Sequence, residues 1–349
     1  MSQNSTTQGV KSRTMRIGYF GDGAWANRAL ETIVADDRFT VSSITTRFTN
    51  EDQELRAWAS RLNVPYLPTP NVNSDNFLKD LMDCGPEILV SMSYDQIFRA
   101  RLIDATPHGI INCHAGALPF YRGRNPLNWA LINGEHSFGI TVHFIDEGID
   151  TGDVILQRLI PIGTEDTYAD LLHRAHDQCA SALLDALIII KEDRLLRRAQ
   201  ITRGRGYTYF SSRRSGDEWI DWSWTSRDIH NFVRAISPPG PCARTLVKRT
   251  PIAIVRSDIL TDIPAHIGTP GEVVGRDPSG IYVKTGDTVL KVTQIATFRS
   301  DGSLGTTDTP TYPLGTRLGT RLLEEFIALR QEVDKLQEQI NKIKPSSED

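Results

Sequence analysis

The chain has 349 residues, 39% of them hydrophobic and 23% charged, with a formal net charge of −4. That length allows two domains with a buried core in each, and the slightly acidic balance argues against an electrostatic grip on nucleic acid. No run approaches the ~20 apolar residues of a membrane span, and four scattered cysteines (Cys84, Cys113, Cys179, Cys242) read as free thiols of a reducing, cytoplasmic compartment, with neither a disulfide framework nor a metal site.

Residues 1–14 are polar, lack the apolar stretch of a signal peptide, and are expected to be a disordered lead-in. From Arg16 the pattern alternates. A buried strand over 16–21 precedes a helix over 24–35, and a strand over 41–47 precedes a helix over 51–62. A helix over 73–82 leads to a strand over 88–93, then a helix near 96–104 and a strand over 109–113. A helix near 126–133 and a strand over 139–145 complete an α/β pattern that calls for a doubly wound, mostly parallel sheet. Gly21 and Gly23 invite a dinucleotide-binding reading, but the third glycine of that fingerprint is replaced by Ala26. A tight turn with close helix–strand packing is the better account.

The stretch 110–153 concentrates the polar chemistry. Its first run leads to Asn112 and His114, its second to the acidic turn Asp146-Glu147-Gly148-Ile149-Asp150. If both runs are parallel strands of one sheet, these groups gather at strand C-terminal ends, where open α/β sheets hold ligands. Alternation puts Asn112 and His114 on one face and Cys113 on the other. An amide, an imidazole and a carboxylate at one spot suit acyl transfer to an amine. Histidine, with an ordinary pKa near ~6.5, can take the amine proton. The asparagine NH2 can stabilise an oxyanion, and the aspartate can orient the imidazole. The plainer alternative is that Asn112 and His114 cap a strand and Asp150 only forms a turn.

Beyond Asp153 a strand over 154–162 precedes a long helix over 164–191, with Thr164 or Asp166 near its start and Leu171, Ala175, Leu183 and Leu187 at helical spacing. The basic run with Arg194, Arg197, Arg198 and Arg203 reads as a solvated surface. The domain boundary is placed within 204–216, giving a catalytic domain over 15–203 and a second domain over 204–310. There a helix over 225–236 and short strands at 245–247, 252–259, 271–275, 280–285 and 288–294 suit a small OB-like barrel. After a Gly/Thr/Pro loop over 301–316, the tail at 311–349 ends in a helix whose Leu322, Phe326, Leu329, Val333, Leu336, Ile340 and Ile343 follow four-three spacing. That is a coiled-coil seam, from which a homodimer is expected.

Three motifs stand in order: Asn112-Cys113-His114, Leu118-Pro119-Phe120-Tyr121-Arg122-Gly123 and Asp150-Thr151-Gly152-Asp153. In residue type, order and spacing they resemble the formyltransferase fold shared by methionyl-tRNA formyltransferases and nucleotide-amino-sugar N-formyltransferases. One departure is Ala115-Gly116-Ala117, where the family more often has a serine before the Leu-Pro. The resemblance implies that Asn112, His114 and Asp150 are the catalytic residues and that the formyl donor is N10-formyltetrahydrofolate, with no metal. By the same resemblance Gln96, Ile97, Phe98, Arg124, Asp146, Glu147, Gly148 and Ile149 would face the folate. For Ile97 and Phe98 composition alone would favour helix–sheet packing.

The acceptor is argued separately. The stretch 122–135 looks closest to the amino-sugar branch, so the expected substrate is a nucleotide-linked amino sugar (dTDP-, UDP- or GDP-), and the product a formamido-sugar for surface polysaccharide. A methionyl-tRNA formyltransferase is the alternative, expected to carry a longer basic loop after the second strand. Here residues 47–55 are short and acidic. A folate- or sugar-binding module without turnover is the non-enzymatic alternative, against which the complete Asn112, His114 and Asp150 set argues.

Overall fold

The computed structural model describes residues 13–202, 206–319 and 322–343. Contacts divide the chain into two units, with the division between Arg213 and Arg214. Residues 1–12 of the expected lead-in and the last residues of the tail, together with Arg203, lie outside the described residues.

The first unit runs β1 (Met15–Gly21), α1 (Gly23–Val34), β2 (Phe39–Thr45), α2 (Gln53–Leu62), α3 (Asp75–Asp83), β3 (Ile88–Met92), α4 (Ala100–Ile103) and β4 (Ile110–His114). It continues with β5 (Arg122–Gly123), α5 (Pro126–Ile132), β6 (Ser137–Phe144), β7 (Val154–Pro161), α6 (Tyr168–Lys191) and β8 (Tyr209–Phe210). The main sheet has the order β2-β1-β3-β4-β6-β7. Its first four strands are parallel, and β1 and β3 are buried along nearly their whole length. That suits strands covered by helices on both faces.

Several boundaries differ from the sequence expectation, each for a local reason. The helix expected near 96–104 shrinks to the four residues of α4. Asn73 takes the backbone instead: its amide donates to the Ile97 carbonyl at 2.8 Å and its oxygen accepts from Arg99 N at 2.9 Å. The long helix starts at Tyr168 because Thr167 and Asp170 form a reciprocal capping box, worth about 1 kcal/mol. At α1 the carboxylate of Asp52 accepts from Gly23 N (2.8 Å) and Asn27 Nδ2 (3.0 Å), so a protein carboxylate occupies the place a phosphate would take in a dinucleotide site.

The larger correction is that β4 and β6 are antiparallel, pairing Asn112 with His143 and His114 with Thr141. The connecting segment stays at one end of the sheet. Thr141 Oγ1 donates to the Gly116 carbonyl (2.7 Å), and Gln157 Nε2 donates to the Leu118 carbonyl (2.7 Å). With its loop tied to β6 and β7, the chain re-enters beside β4 in the opposite sense. The polar groups therefore meet on the sheet face as cross-strand neighbours, and not only at aligned C-terminal ends.

The second unit holds α7 (Ser226–Ile236), β9 (Ala243–Val247), β10 (Thr250–Ile259), β11 (Val273–Asp277), β12 (Gly280–Lys284), β13 (Val289–Phe298), β14 (Leu304–Asp308) and α8 (Leu322–Ile343). The antiparallel sheet runs β11-β12-β13-β10-β9, with β14 on β13, in part of the stretch expected to be loop. Residues 315–319 bond to both outer strands: Val273 N donates to Thr316 O, and Gly319 N to Leu246 O. Bridging both edges in this way closes the sheet as a small barrel does.

Candidate active site

Alternation along β4 sends Asn112 and His114 to one face, while the Cys113 thiol faces the α6 carbonyl of Cys179. On the shared face Asn112 Nδ2 lies 3.3 Å from His143 Nε2. The other ring nitrogen of His143 donates to the Phe144 carbonyl at 2.7 Å, which leaves Nε2 as an acceptor in the neutral ring. One N–H of Asn112 can be spent on His143, and the second remains free.

Asp150 closes the group. Its Oδ2 accepts from Gly123 N at 2.8 Å and lies 3.7 Å from His114 Nδ1, while Oδ1 lies 3.6 Å from His143 Nε2. The two imidazole distances are electrostatic contacts, longer than hydrogen bonds. Burial alone would raise the Asp150 pKa. Positive charge on His114 or His143 when protonated, together with the Gly123 N–H, outweighs it and holds the carboxyl well below the usual carboxylate range. His114 Nε2 donates to the Tyr121 carbonyl at 2.7 Å, so Nδ1, beside Asp150, is the nitrogen left to exchange a proton.

This hydrogen bond needs Gly116. A Cβ there would stand 2.6 Å from His114 Nε2 and 2.7 Å from the Tyr121 carbonyl. Four residues around the site hold positive φ: Ser93 (58°), Tyr121 (59°), Asn125 (55°) and Asp150 (54°). Non-glycine residues in that region cost on the order of 1 kcal/mol or more each and gather at functional sites.

Two cavities meet at His114. One, about 330 Å³, is lined by Asn112, His114, His143 and Asp150 and by all eight positions that the resemblance places at folate: Gln96, Ile97, Phe98, Arg124, Asp146, Glu147, Gly148 and Ile149. They do not present themselves equally. Ile97 is 71% exposed and Ile149 52% exposed, which gives the mouth an apolar rim. Phe98 is 5% exposed and packs edge-on to Phe20 and stacked on Tyr94, so its ring is part of the core. The Gln96 amide is spent on Val72 N, the Thr69 carbonyl and Tyr94 Oη, holding the 69–72 loop. Asp146 Oδ1 accepts from Gly148 N and Thr151 Oγ1, which shapes the turn. The other cavity, about 280 Å³, adjoins it, sharing Ser93, His114, Gly123 and Arg124, and is lined further by Trp25, Met92, Asn128 and Tyr168.

His143 escaped the sequence reading. The signal was there: a histidine inside the apolar run of β6, on the face its alternation shares with Thr141. Tyr209, left out of the expected site, lines the larger cavity at 51% exposure. Tyr207 instead lies under the buried Arg122 guanidinium at 5.0 Å. Among the described residues no group of histidine, cysteine, aspartate and glutamate is arranged to hold a metal ion, and no helix is long and apolar enough to cross a membrane.

Residues 36–187 match the formyl transferase family and residues 214–299 the formyl transferase C-terminal domain. The methionyl-tRNA formyltransferase of Desulforamulus reducens is 30% identical over 293 residues, covering 80% of this chain and 90% of its own. Among solved structures, the sugar 3N-formyl transferase WlaRD, in the presence of dTDP and 5-N-formyl-THF, aligns with TM-score 0.60 at 21% identity, over 80% of this chain and 98% of its own. An N-formyltransferase from Helicobacter canadensis, in complex with folinic acid and dTDP-3-aminofucose, aligns with TM-score 0.60 at 20% identity, over 80% and 99%. At these identities the structural likeness concerns the fold.

Proposed function

Because the chain belongs to the formyl transferase family and is an enzyme of formyl transfer, we propose that it moves a formyl group from N10-formyltetrahydrofolate to the amine of a nucleotide-linked amino sugar. The observation that carries this reading is the pair of cavities meeting at His114. One has an apolar rim suited to a flat heterocycle, and the other is an adjoining pocket of about 280 Å³ for the acceptor. In the balanced step the amine nitrogen bonds to the formyl carbon, the bond from that carbon to N10 breaks, and a proton of the amine ends on N10. The free N–H of Asn112 stabilises charge developing on the formyl oxygen. His114 takes the proton at Nδ1, and Asp150, ionised and beside it, balances the resulting charge.

Both acceptors have something in their favour. The name of the Desulforamulus reducens relative favours methionyl-tRNA. Against it stand the net charge of −4 and the connection between β2 and α2, which is only residues 46–52 and contains Glu51 and Asp52, the latter spent on capping α1 and α2. Its one base, Arg47, is paired with Asp22 (3.3 Å) and Asp95 (3.7 Å), so a loop so short and acidic supplies little of the phosphate neutralisation that transfer RNA binding draws on. The amino-sugar reading, with dTDP as first choice of nucleotide, is the one we favour, and it makes a formamido-sugar for surface polysaccharide in the cytoplasm. The enzyme is a homodimer on this reading, with α8 as the pairing element. Phe326, Leu329, Val333, Leu336 and Ile340 are each 50–62% exposed on that helix.

The test is incubation with N10-formyltetrahydrofolate and a panel of dTDP-, UDP- and GDP-linked amino sugars beside Met-tRNA, read by mass spectrometry. A gain of one formyl group on a sugar nucleotide is expected. A higher kcat/KM for Met-tRNA than for every sugar overturns the assignment.

A further inference from the structure

The loop that holds His114 and Asp150 has an outer layer of its own. Tyr121 supplies the carbonyl for His114 and Gly123 the amide for Asp150, yet the three amides flanking that of Gly123 are bonded outward. Tyr121 N donates to Thr208 Oγ1 (2.8 Å), Arg122 N to Thr208 O (3.1 Å) and Arg124 N to Phe210 O (2.9 Å). The pairing is parallel, Arg122 with Tyr209 and Gly123 with Phe210. The Phe210 ring stacks between Tyr121 (5.4 Å, 18°) and Trp129 (4.8 Å, 20°).

Gln200 completes the layer. Its Oε1 accepts from the buried Arg122 guanidinium at 2.8 Å, and its Nε2 donates to the carbonyls of Asp150 (3.1 Å) and Gly152 (2.6 Å). One amide thus ties the loop that holds His114 to the turn that carries Asp150. Two partners hold a backbone conformation that costs energy, Tyr121 at φ 59° and Asp150 at φ 54°, and the φ of 91° between them is taken by a glycine, Gly123. A Cβ on Gly123 would stand 2.2 Å from the Phe210 carbonyl, so the two segments lie as close as backbones can.

We propose that Gln200 and the Thr208–Phe210 segment form a strap that fixes the orientation of the His114–Asp150 pair, with Gln200 and Phe210 as positioning residues. Neither touches the reacting atoms. Their effect passes through Tyr121, Arg122, Gly123 and the Asp150 backbone, and the inference rests on the formyl-transfer reading above. Displacing a reacting group by about 1 Å costs on the order of a hundredfold in rate, so loosening this layer acts on turnover more than on binding.

The experiment compares Phe210→Ala, Phe210→Tyr and Gln200→Glu in the full chain. Gln200→Glu keeps an acceptor for Arg122 and removes the donor to the Asp150 and Gly152 carbonyls. Phe210→Ala and Gln200→Glu are expected to lower kcat by about tenfold or more, with KM for N10-formyltetrahydrofolate within about twofold. Phe210→Tyr, which keeps the stacked ring, restores kcat. The 15N signals of the His114 ring, assigned with His114→Asn, report the Nε2–H held by Tyr121 without any substrate. They are expected to shift, with faster proton exchange, in the two damaged variants. Unchanged His114 signals in folded Phe210→Ala and Gln200→Glu overturn the strap, as does a loss confined to KM. A wild-type enzyme that transfers no formyl group overturns the functional reading instead, and the ring signals still decide the strap.

Discussion

The two halves of the main sheet are built on different terms. In the parallel half, β1 and β3 are walled in: Ile17, Tyr19, Phe20, Ile88, Leu89 and Val90 are fully buried, and Phe20 and Leu89 belong to one cluster with Phe77, Leu81 and Phe98. In the antiparallel half, α6 covers one face of β4 and β6, and the other carries Asn112, His114 and His143 toward the cavities. The parallel half supplies burial, with each fully buried aliphatic side chain worth roughly 1.5–3 kcal/mol. The antiparallel half supplies a polar face that lines the cavities and whose neighbours are fixed by strand register. Stability and chemistry are thereby separated within one sheet, and substitutions in the two halves should fail in different ways.

The largest effect is expected from His114→Asn, which removes the proton acceptor while keeping a polar side chain. Turnover should fall by roughly a hundredfold or more in a protein whose thermal unfolding is little changed. Near-normal turnover would remove His114 from the mechanism. Gly116→Ala tests the same face without touching the ring's chemistry. The added methyl, 2.6 Å from Nε2, must displace His114 or Tyr121, and a kcat loss of about tenfold is expected. Its counterpart in the parallel half is Leu89→Ala, which should cost about 2–5 kcal/mol of stability and leave kcat per folded molecule unchanged. Calorimetry on both variants, beside steady-state kinetics, decides whether the division between halves is real.

A smaller effect concerns pH. The Asp150 carboxyl, with its folded pKa below the ordinary ~3.9, contributes stability that is fully present above that unfolded value and is lost as pH falls through the folded one. Between pH 5 and 8 it stays ionised, so it gives no titration limb in that range. The stability difference between wild type and Asp150→Asn should therefore shrink as pH falls below about pH 4 and should not shrink between about pH 8 and 5. A difference that already shrinks between about pH 7 and 6 would contradict the assigned direction.

How much of this was legible in the sequence follows the same division. Strand–helix alternation is a local signal, and it placed the elements of the parallel half to within a few residues. The direction of β6 is not local. It depends on where the 115–136 segment is tied, by Thr141 to the Gly116 carbonyl and by Gln157 to the Leu118 carbonyl. Without that direction, His143 could not be placed opposite Asn112, and a histidine in an apolar strand passed as part of the core. The folate-side positions came from motif resemblance alone, which names residues without saying how each is used. All eight line the cavity, yet the Phe98 ring serves the core and the Gln96 amide serves a neighbouring loop. The strap on Tyr121 and Gly123 joins segments some eighty residues apart, and no periodicity announces such a pairing.

The smallest effect on turnover is expected from removing the tail. Both cavities are lined entirely by residues of the first unit, and the proposed reacting groups all lie there. The α8 helix, in contrast, leaves Phe326, Leu329, Val333, Leu336 and Ile340 at least half exposed along a four-three seam. An isolated helix of this length is marginal in water, and Val333 and Ile340 alternating with Leu329 and Leu336 is the arrangement that favours two parallel strands. Deletion from Thr320 onward should convert a dimer to a monomer in light scattering while kcat stays within about twofold. A truncated protein that stays dimeric would move the interface elsewhere. One that becomes monomeric and inactive would show that the site needs its partner, and that the face of β4 and β6 is not self-sufficient.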